Sequence, residues 1–392
     1  MIVDELRIVG STQTNVVMAA ELVRVAKRAI KRRPPEPRKE GLGQLVFPFD
    51  RELAWVATTY MRTPTRVVWD VYRSRASRLE PLYDELVADV RDDKRELWRD
   101  GDGISVEARR VDEFAAGERQ IVGTVKNALL DGAKRRGARL HVDPDRPTTR
   151  WVARLDDRGE LVVSIDLGGG SLSQRGWRRD AGLAPLREHL AAVLLMLARF
   201  DPRTDILVDP MCGAATIPIE AVLAARATPR ETPTLAALGL EPAEPAKPLF
   251  ADADPIVIGC DLDLEVLAAA RDNARAAGVA DALTLQRADV ASLRPEMIAD
   301  IVRERAREPS IPRSAGLILS NPPYGERLDD QDLGEIYEAL ATTCRRFRGW
   351  RAGFLVASPI FEEVFFHVIG RPRIKKPLAN ANLRAYFFLY DL

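Results

Sequence analysis

The sequence predicts an α/β fold: a mostly parallel sheet wrapped by helices in the C-terminal half, preceded by α+β segments. Three observations predict it. From residue 184 onward, short apolar runs alternate with helical stretches: Ile206–Val208, Ile256–Cys260, Leu283–Leu285, Leu317–Leu319 and Phe354–Ala357. Strands buried on both faces read this way, and the alternation suits a parallel sheet wrapped by helices. Upstream the pattern is shorter and amphipathic, and Gly168-Gly169-Gly170 breaks it. The 392 residues leave room for two or three domains.

In chain order, Leu6–Gly10 is a strand, and Thr12 is placed to cap a helix. Its apolar face is expected from Val16, Val17, Ala20, Val23, Ala26, Ala29 and Ile30. The helix ends in Lys31-Arg32-Arg33 before Pro34-Pro35, a basic run that suits a helix C-terminus. Gln44–Phe49, Glu52–Met61 and Thr65–Val71 read as strand, helix and strand, which completes a small α+β subdomain over 1–72. In the segment 73–168, Leu79–Val90 and Val122–Gly137 read as helices and Ile104–Ala108 as a strand. Arg150–Leu155 and Leu161–Leu167 form a hairpin about Asp156-Asp157-Arg158-Gly159. The third expected domain, 169–392, opens with a helix at Ala184–Phe200 and ends in a strand at Leu383–Leu392. Residues 228–255 lack periodicity and read as a loop insertion.

The 46% hydrophobic and 30% charged residues are ordinary for a soluble globular chain. No apolar run reaches the roughly 20 residues of a membrane span, and the N-terminus lacks a signal-peptide layout. Cys212, Cys260 and Cys344 match no zinc spacing, so a reduced, cytoplasmic protein without metal is expected. Residues 1–150 hold 29 Lys/Arg against 24 Asp/Glu, the remainder 29 against 34. That excess permits an N-terminal half that touches phosphates without requiring it.

Asp205–Asp209 reads as a strand that leads into Pro210-Met211-Cys212-Gly213-Ala214-Ala215-Thr216, a tight loop and a helix start. Ligands of open α/β sheets bind where such strands end. An acid at Asp209 would repel a pyrophosphate and attract the ammonium of a methionine moiety, and neither G-x-G-x-x-G nor a Walker pattern is present. These features predict S-adenosyl-L-methionine as the cofactor. Asp261 and Asp263 end the second strand, where a carboxylate accepts from ribose hydroxyls. Asp289 follows the third and suits an adenine amino group. Each acid can instead cap its loop or helix.

Asn321-Pro322-Pro323-Tyr324 ends the fourth strand. An exocyclic amino nitrogen of a nucleobase is a poor nucleophile, because its lone pair is delocalised into the ring. The Asn321 oxygen and the Pro322 carbonyl can accept its two hydrogens, and the prolines hold that carbonyl still. Tyr324 can stack on the base. Attack on a sulfonium methyl then depends mainly on positioning, so His141, His189 and His367, which lie in no motif, are not needed. The expected chemistry is methylation of a nucleobase amino group. Asn-Pro-Pro is also turn chemistry, and its meaning here comes from its place after the fourth strand.

The segments Asp209–Ile219, Gly259–Asp263, Asn273–Gly278 and Ser320–Leu328 resemble the catalytic domain of bacterial large-subunit (23S) ribosomal RNA guanine-N2 methyltransferases. Leu167–Arg178, Ala184–Ala191, Val122–Asp131 and Asp143–Pro147 are similar to that family's upstream parts. The resemblance implies a ferredoxin-like subdomain over 1–72, a THUMP RNA-binding domain over 73–168 and a Rossmann-like class I methyltransferase domain with a mostly parallel seven-stranded sheet over 169–392. It implies an RNA substrate, 23S ribosomal RNA ahead of transfer RNA, with guanine N2 as the target; separately, a monomer is expected. Lys134, Arg135, Arg136, Arg175, Trp177 and Arg178 become candidates for RNA contact. Some relatives carry a second methyltransferase domain; ending at Leu392, this chain is expected to make one modification. The family loop usually reads Gly-Ser-Gly where this chain has Gly213-Ala214-Ala215, so a Cβ at 215 is expected to crowd the cofactor. DNA adenine-N6 methylation and an inactive RNA-binding assembly factor stand as alternatives.

Overall fold

The structure, a computed structural model, describes residues 1–178, 186–305, 315–324, 330–380 and 383–392. Ala184, Pro185 and the stretch 325–328, parts of two segments singled out above, lie outside the described residues. The chain divides into two compact units. One comprises 1–10, 14–172 and 229–247; the other comprises 11–13, 173–228 and 248–392.

The N-terminal unit is built on β1 (Ile2–Val9), β2 (Arg38–Lys39), β3 (Gln44–Pro48), β4 (Arg66–Ser74), β5 (Gly103–Arg109), β6 (His141–Val142), β7 (Thr149–Leu155) and β8 (Leu161–Asp166). They form one eight-stranded sheet in the order β2-β3-β1-β4-β8-β7-β5-β6. Helices α1 (Asn15–Ala29), α2 (Arg51–Tyr60), α3 (Leu79–Asp92) and α4 (Glu118–Arg135) complete it. The expected divide at 72/73 falls inside β4, which pairs with β1 on one side and β8 on the other. The two expected N-terminal domains therefore share a sheet.

Two expectations need correction here. Thr12 does not cap α1, which starts after Thr14, and Val16 is 70% exposed. The buried face is Val17, Met18, Glu21, Leu22, Val25 and Ala26. Glu21 tolerates burial because its carboxylate accepts from the Arg62 and Thr63 amides and from the Thr63 hydroxyl. The 228–255 stretch, read as a loop, contains a short helix and belongs largely to the N-terminal unit. Arg230 donates to the Thr58 and Met61 carbonyls, and Tyr60 donates to Lys247 O at 3.1 Å.

The C-terminal unit contains α5 (Glu188–Leu197), β9 (Asp205–Asp209), α6 (Thr216–Arg226), β10 (Ile256–Asp261), α8 (Leu264–Ala276), β11 (Leu283–Arg287), α9 (Pro295–Arg305), β12 (Ala315–Ser320), α10 (Asp330–Cys344), β13 (Arg351–Val356), α11 (Pro359–Val368), β14 (Ile374–Asn380) and β15 (Leu383–Asp391); the insertion helix is α7 (Pro233–Ala237). Its seven strands run in the order β11-β10-β9-β12-β13-β15-β14, with β15 antiparallel to both neighbours. The core is aromatic on one side of the sheet, where Phe361 stacks on Phe365 at 4.1 Å and meets Phe354 and Phe388. Strand order reverses between β9 and β12, which lie side by side with Val208 opposite Ile318. A crevice therefore opens where these two strands end, at Asp209 and Ser320.

Candidate active site

Asp209 is buried at the end of β9. Its Oδ1 accepts from the Ser320 hydroxyl at 2.7 Å and from the Met211 amide at 3.3 Å. Burial, with Asp261 nearby, pushes its carboxyl up to about 7, against the pull of those two bonds. Among the described residues no cation acts on it. A buried acid without a counter-ion, at the strand-order reversal, fits a ligand that brings a positive charge.

The loop after Asp209 is held from three sides. The Cys212 amide donates to Cys260 O at 2.8 Å, Gly213 N donates to an Asp261 carboxylate oxygen at 3.0 Å, and Asn273 Nδ2 donates to Ala214 O at 3.3 Å. Gly259 makes room for this: a Cβ there would stand 2.8 Å from Leu285 and 3.2 Å from the Cys212 side chain. Met211, Gly213 and Ala214 remain partly exposed, whereas Pro210, Cys212 and Thr216 are buried. Ala215 precedes α6 with φ +62° and ψ +32°, a left-handed conformation normally left to glycine. It is wholly inaccessible, so its methyl does not face the crevice. The expected crowding of a ligand is replaced by a cost in backbone strain.

Asp261 acts on the loop through Gly213 N, and its other oxygen accepts from the Asp263 amide at 3.1 Å. Asp263 caps α8 through the Glu265 and Val266 amides, and Asp289 accepts from Ala291 N at 2.9 Å. Both are exposed carboxylates with a local structural bond already in place.

Across the crevice, Asn321 follows Ser320 directly. Its Oδ1 accepts from the Tyr324 hydroxyl at 3.3 Å. Pro322 is buried, Pro323 exposed, and Tyr324 is half-buried against the aromatic core. Tyr337 of α10 donates to Pro323 O at 2.7 Å. Ser320, Asn273 and Tyr337 bond to the candidate site, and the sequence reading named them only within longer runs or not at all. A polar residue at the end of the apolar run Leu317-Ile318-Leu319 was the available signal for Ser320.

The expected RNA contacts divide. Lys134 and Arg135 are exposed at the end of α4. Arg136 lies over Trp98 at 5.4 Å and bonds Arg95 O. Arg175 and Trp177 are corrections. The Arg175 side chain is 4% exposed and pairs with fully buried Glu220 at 3.2 Å, and Trp177 is 5% exposed. Arg178 pairs with Glu188 at 2.9 Å and donates to the Thr216 hydroxyl at the start of α6. This basic, aromatic run packs into the C-terminal unit, because buried carboxylates there demand cations.

Burial keeps the three cysteines protonated, with Cys260 pushed up to about 12. His189 is pushed down to about 3 by burial and by Arg175 and Arg187. The crevice thus offers acceptors and positioning. Among the described residues no metal-binding cluster occurs, and no helix is long and apolar enough to cross a membrane.

The strand order 3-2-1-4-5-7-6, the last-but-one antiparallel, with an acid after the first strand and Asn-Pro-Pro-Tyr after the fourth, decides the fold. The C-terminal unit has the class I methyltransferase fold. Residues 175–368 match the family model described as UPF0020, RMKL-like, methyltransferase domain. The chain is 37% identical over 253 residues to the ribosomal RNA large subunit methyltransferase K/L of Aeromonas salmonicida (strain A449), covering 60% of this chain and 35% of that protein. The protein of the same name from Methylococcus capsulatus is 31% identical over 380 residues, covering 90% of this chain and 48% of its own length. The chain thus spans half or less of these curated relatives. Among solved structures, a predicted N6-adenine-specific DNA methylase from Listeria monocytogenes aligns over 99% of this chain and 96% of its own, with TM-score 0.76 and 22% identity. A methyltransferase solved with SAH, SMU.472, aligns over 100% and 98%, with TM-score 0.75 and 21% identity. At these identities the structural matches speak for the fold.

Proposed function

We propose that this chain is an S-adenosylmethionine-dependent RNA methyltransferase that forms N2-methylguanosine in large-subunit (23S) ribosomal RNA. The convergence of Asp209 and Asn321 on one crevice, through the Ser320 bond, carries the reading. The cofactor supplies an electrophilic methyl on a positively charged sulfur. Asp209 meets the positive charge of its methionine part, Gly213 and Ala214 let it approach the backbone, and Asp261 offers a ribose acceptor while holding the loop. Asn321 Oδ1 and the Pro322 carbonyl accept the two amino hydrogens of the target base and aim its lone pair at the methyl. Tyr324 holds the ring of a base taken out of its stack. The product nitrogen becomes acidic as it is alkylated, so its proton can leave to water without a strong base.

RNA as the substrate is supported by the names of the relatives and by the upstream resemblance. The N-terminal unit would grip structured RNA as ferredoxin-like and THUMP parts, with Lys134 and Arg135 presented to phosphates. The setting is the cytoplasm. The test is incubation with methyl-labelled cofactor and, in parallel, 23S ribosomal RNA, large-subunit particles, transfer RNA and DNA, followed by nucleoside analysis. N2-methylguanosine in the ribosomal RNA is expected. Label confined to transfer RNA, or methyladenine in DNA, contradicts the assignment.

A further inference from the structure

Ser320 is fully buried at the end of β12, the residue before Asn321, and its hydroxyl reaches 2.7 Å across the strand-order reversal to Asp209 Oδ1. The groups around that carboxyl are few. From its own loop come the Met211 amide and the Cys212 thiol; from β10 come the Cys260 thiol and the Asp261 carboxylate; from β12 comes Ser320. Among the described residues, Ser320 is the one side chain that donates to Asp209. Both ends of its bond are buried, so the bond is unscreened and fixes one orientation of the carboxylate. The same residue is joined through one peptide bond to the acceptor for the substrate amine.

Resting on the methyltransferase reading, we propose that Ser320 is a positioning residue that holds Asp209 ionised toward the cofactor and ties that charge to the placement of Asn321. A charged carboxylate accepts a stronger hydrogen bond than a protonated one, so Ser320 favours the form that a cationic ligand needs. Cofactor arrival strengthens the Asp209–Ser320 bond, and that bond steadies the start of the Asn321-Pro322 turn. The cofactor pocket and the base-accepting group are then set by a single contact between neighbouring strands.

A residue that only filled space would lower affinity equally at every pH; one that favours the ionised carboxylate shifts the pH at which affinity is lost. The test is calorimetric titration of S-adenosylhomocysteine from pH 5.5 to 8.5, without nucleic acid. It compares the natural chain with Ser320→Ala, Ser320→Thr, Asp209→Asn and the Ser320→Ala/Asp209→Asn pair. Ser320→Ala is expected to move the loss of affinity upward by about one pH unit, roughly fivefold weaker binding at pH 7 and approaching tenfold below pH 6. At pH 8.5 it should bind within about threefold of the natural chain. Ser320→Thr keeps the donor and should keep the natural profile. In the Asp209→Asn background, removing Ser320 should change affinity less than about twofold. An unmoved pH profile in Ser320→Ala, or an equal loss in the Asp209→Asn background, overturns the proposal. Should Ser320→Ala not melt cooperatively, Ser320→Cys, near in size and a weaker donor, is expected to give a smaller shift in the same direction; no shift there overturns it equally. If the natural chain binds no S-adenosylhomocysteine at any pH, the cofactor reading itself is wrong and the Ser320 role falls with it. Binding with an unmoved profile removes only the latter.

Discussion

Tyr337 donates its hydroxyl to the Pro323 carbonyl at 2.7 Å, from a ring that is fully buried. That ring meets Phe361 edge-on at 5.3 Å, and Phe361 stacks on Phe365. The turn that carries Asn321 is thereby pinned to the aromatic core of the C-terminal unit. Tyr337→Phe keeps the packing and removes the bond. It should cost about 1 kcal/mol of stability. Turnover should fall up to about tenfold through looser positioning, with S-adenosylhomocysteine affinity within twofold. Steady-state kinetics with calorimetry checks this; unchanged turnover would show that the turn stands without the bond.

Cofactor affinity should depend on the protonation of Asp209. In the free protein burial lifts this carboxyl to about 7, and a bound ammonium would lower it. Below pH 7 binding must expel a proton, so affinity should fall by up to tenfold per unit between pH 7 and 6. The stability linkage has the matching sign. A carboxyl raised above its unfolded value of 3.8 contributes stability fully present below about 4 and lost as pH rises through about 7. The free protein should therefore be less stable at pH 8 than at pH 6, and the ligand's stabilisation larger at pH 8. Melting curves with and without S-adenosylhomocysteine at both values read this directly. Asp209→Asn should flatten both trends.

Ala215 holds φ +62° where a Cβ costs roughly 1–2 kcal/mol. Ala215→Gly relieves that strain but gives the unfolded chain more freedom, about 0.5–1 kcal/mol the other way. The net expectation is a small gain, up to about 1 kcal/mol in denaturant unfolding. Because the methyl is inaccessible, cofactor affinity should change less than about threefold. A large rise in affinity would show that the methyl does meet the ligand.

The C-terminal fold was legible because its central strands are buried on both faces and read as continuous apolar runs. The edge strand β14 was not: Lys375, Lys376 and Pro377 disguise it. They are tolerated because β14 pairs on one side only, with β15. The placing of the candidate site was legible where a polar residue closes an apolar run, so that Asp209 and Asn321 could be set at the ends of strands that prove to be neighbours. It was not where the same residues serve surface and interior alike. Arg175 and Trp177 read as a nucleic-acid contact, yet nothing in a sequence states that Glu220 waits beside them in the core. Ser320 and Tyr337 act through partners 111 and 14 residues away, and such pairings appear only in three dimensions.

The proposed division of labour has Asn321 receive the target amine while Asp209 holds the cofactor on the other side of the crevice. Asn321→Ala measures it most directly, with S-adenosylhomocysteine affinity and methyl transfer to 23S ribosomal RNA determined on one preparation. Affinity within about twofold of the natural chain is expected, with transfer reduced by 100-fold or more, on the order expected for loss of a positioned acceptor. Full transfer activity in Asn321→Ala would contradict it.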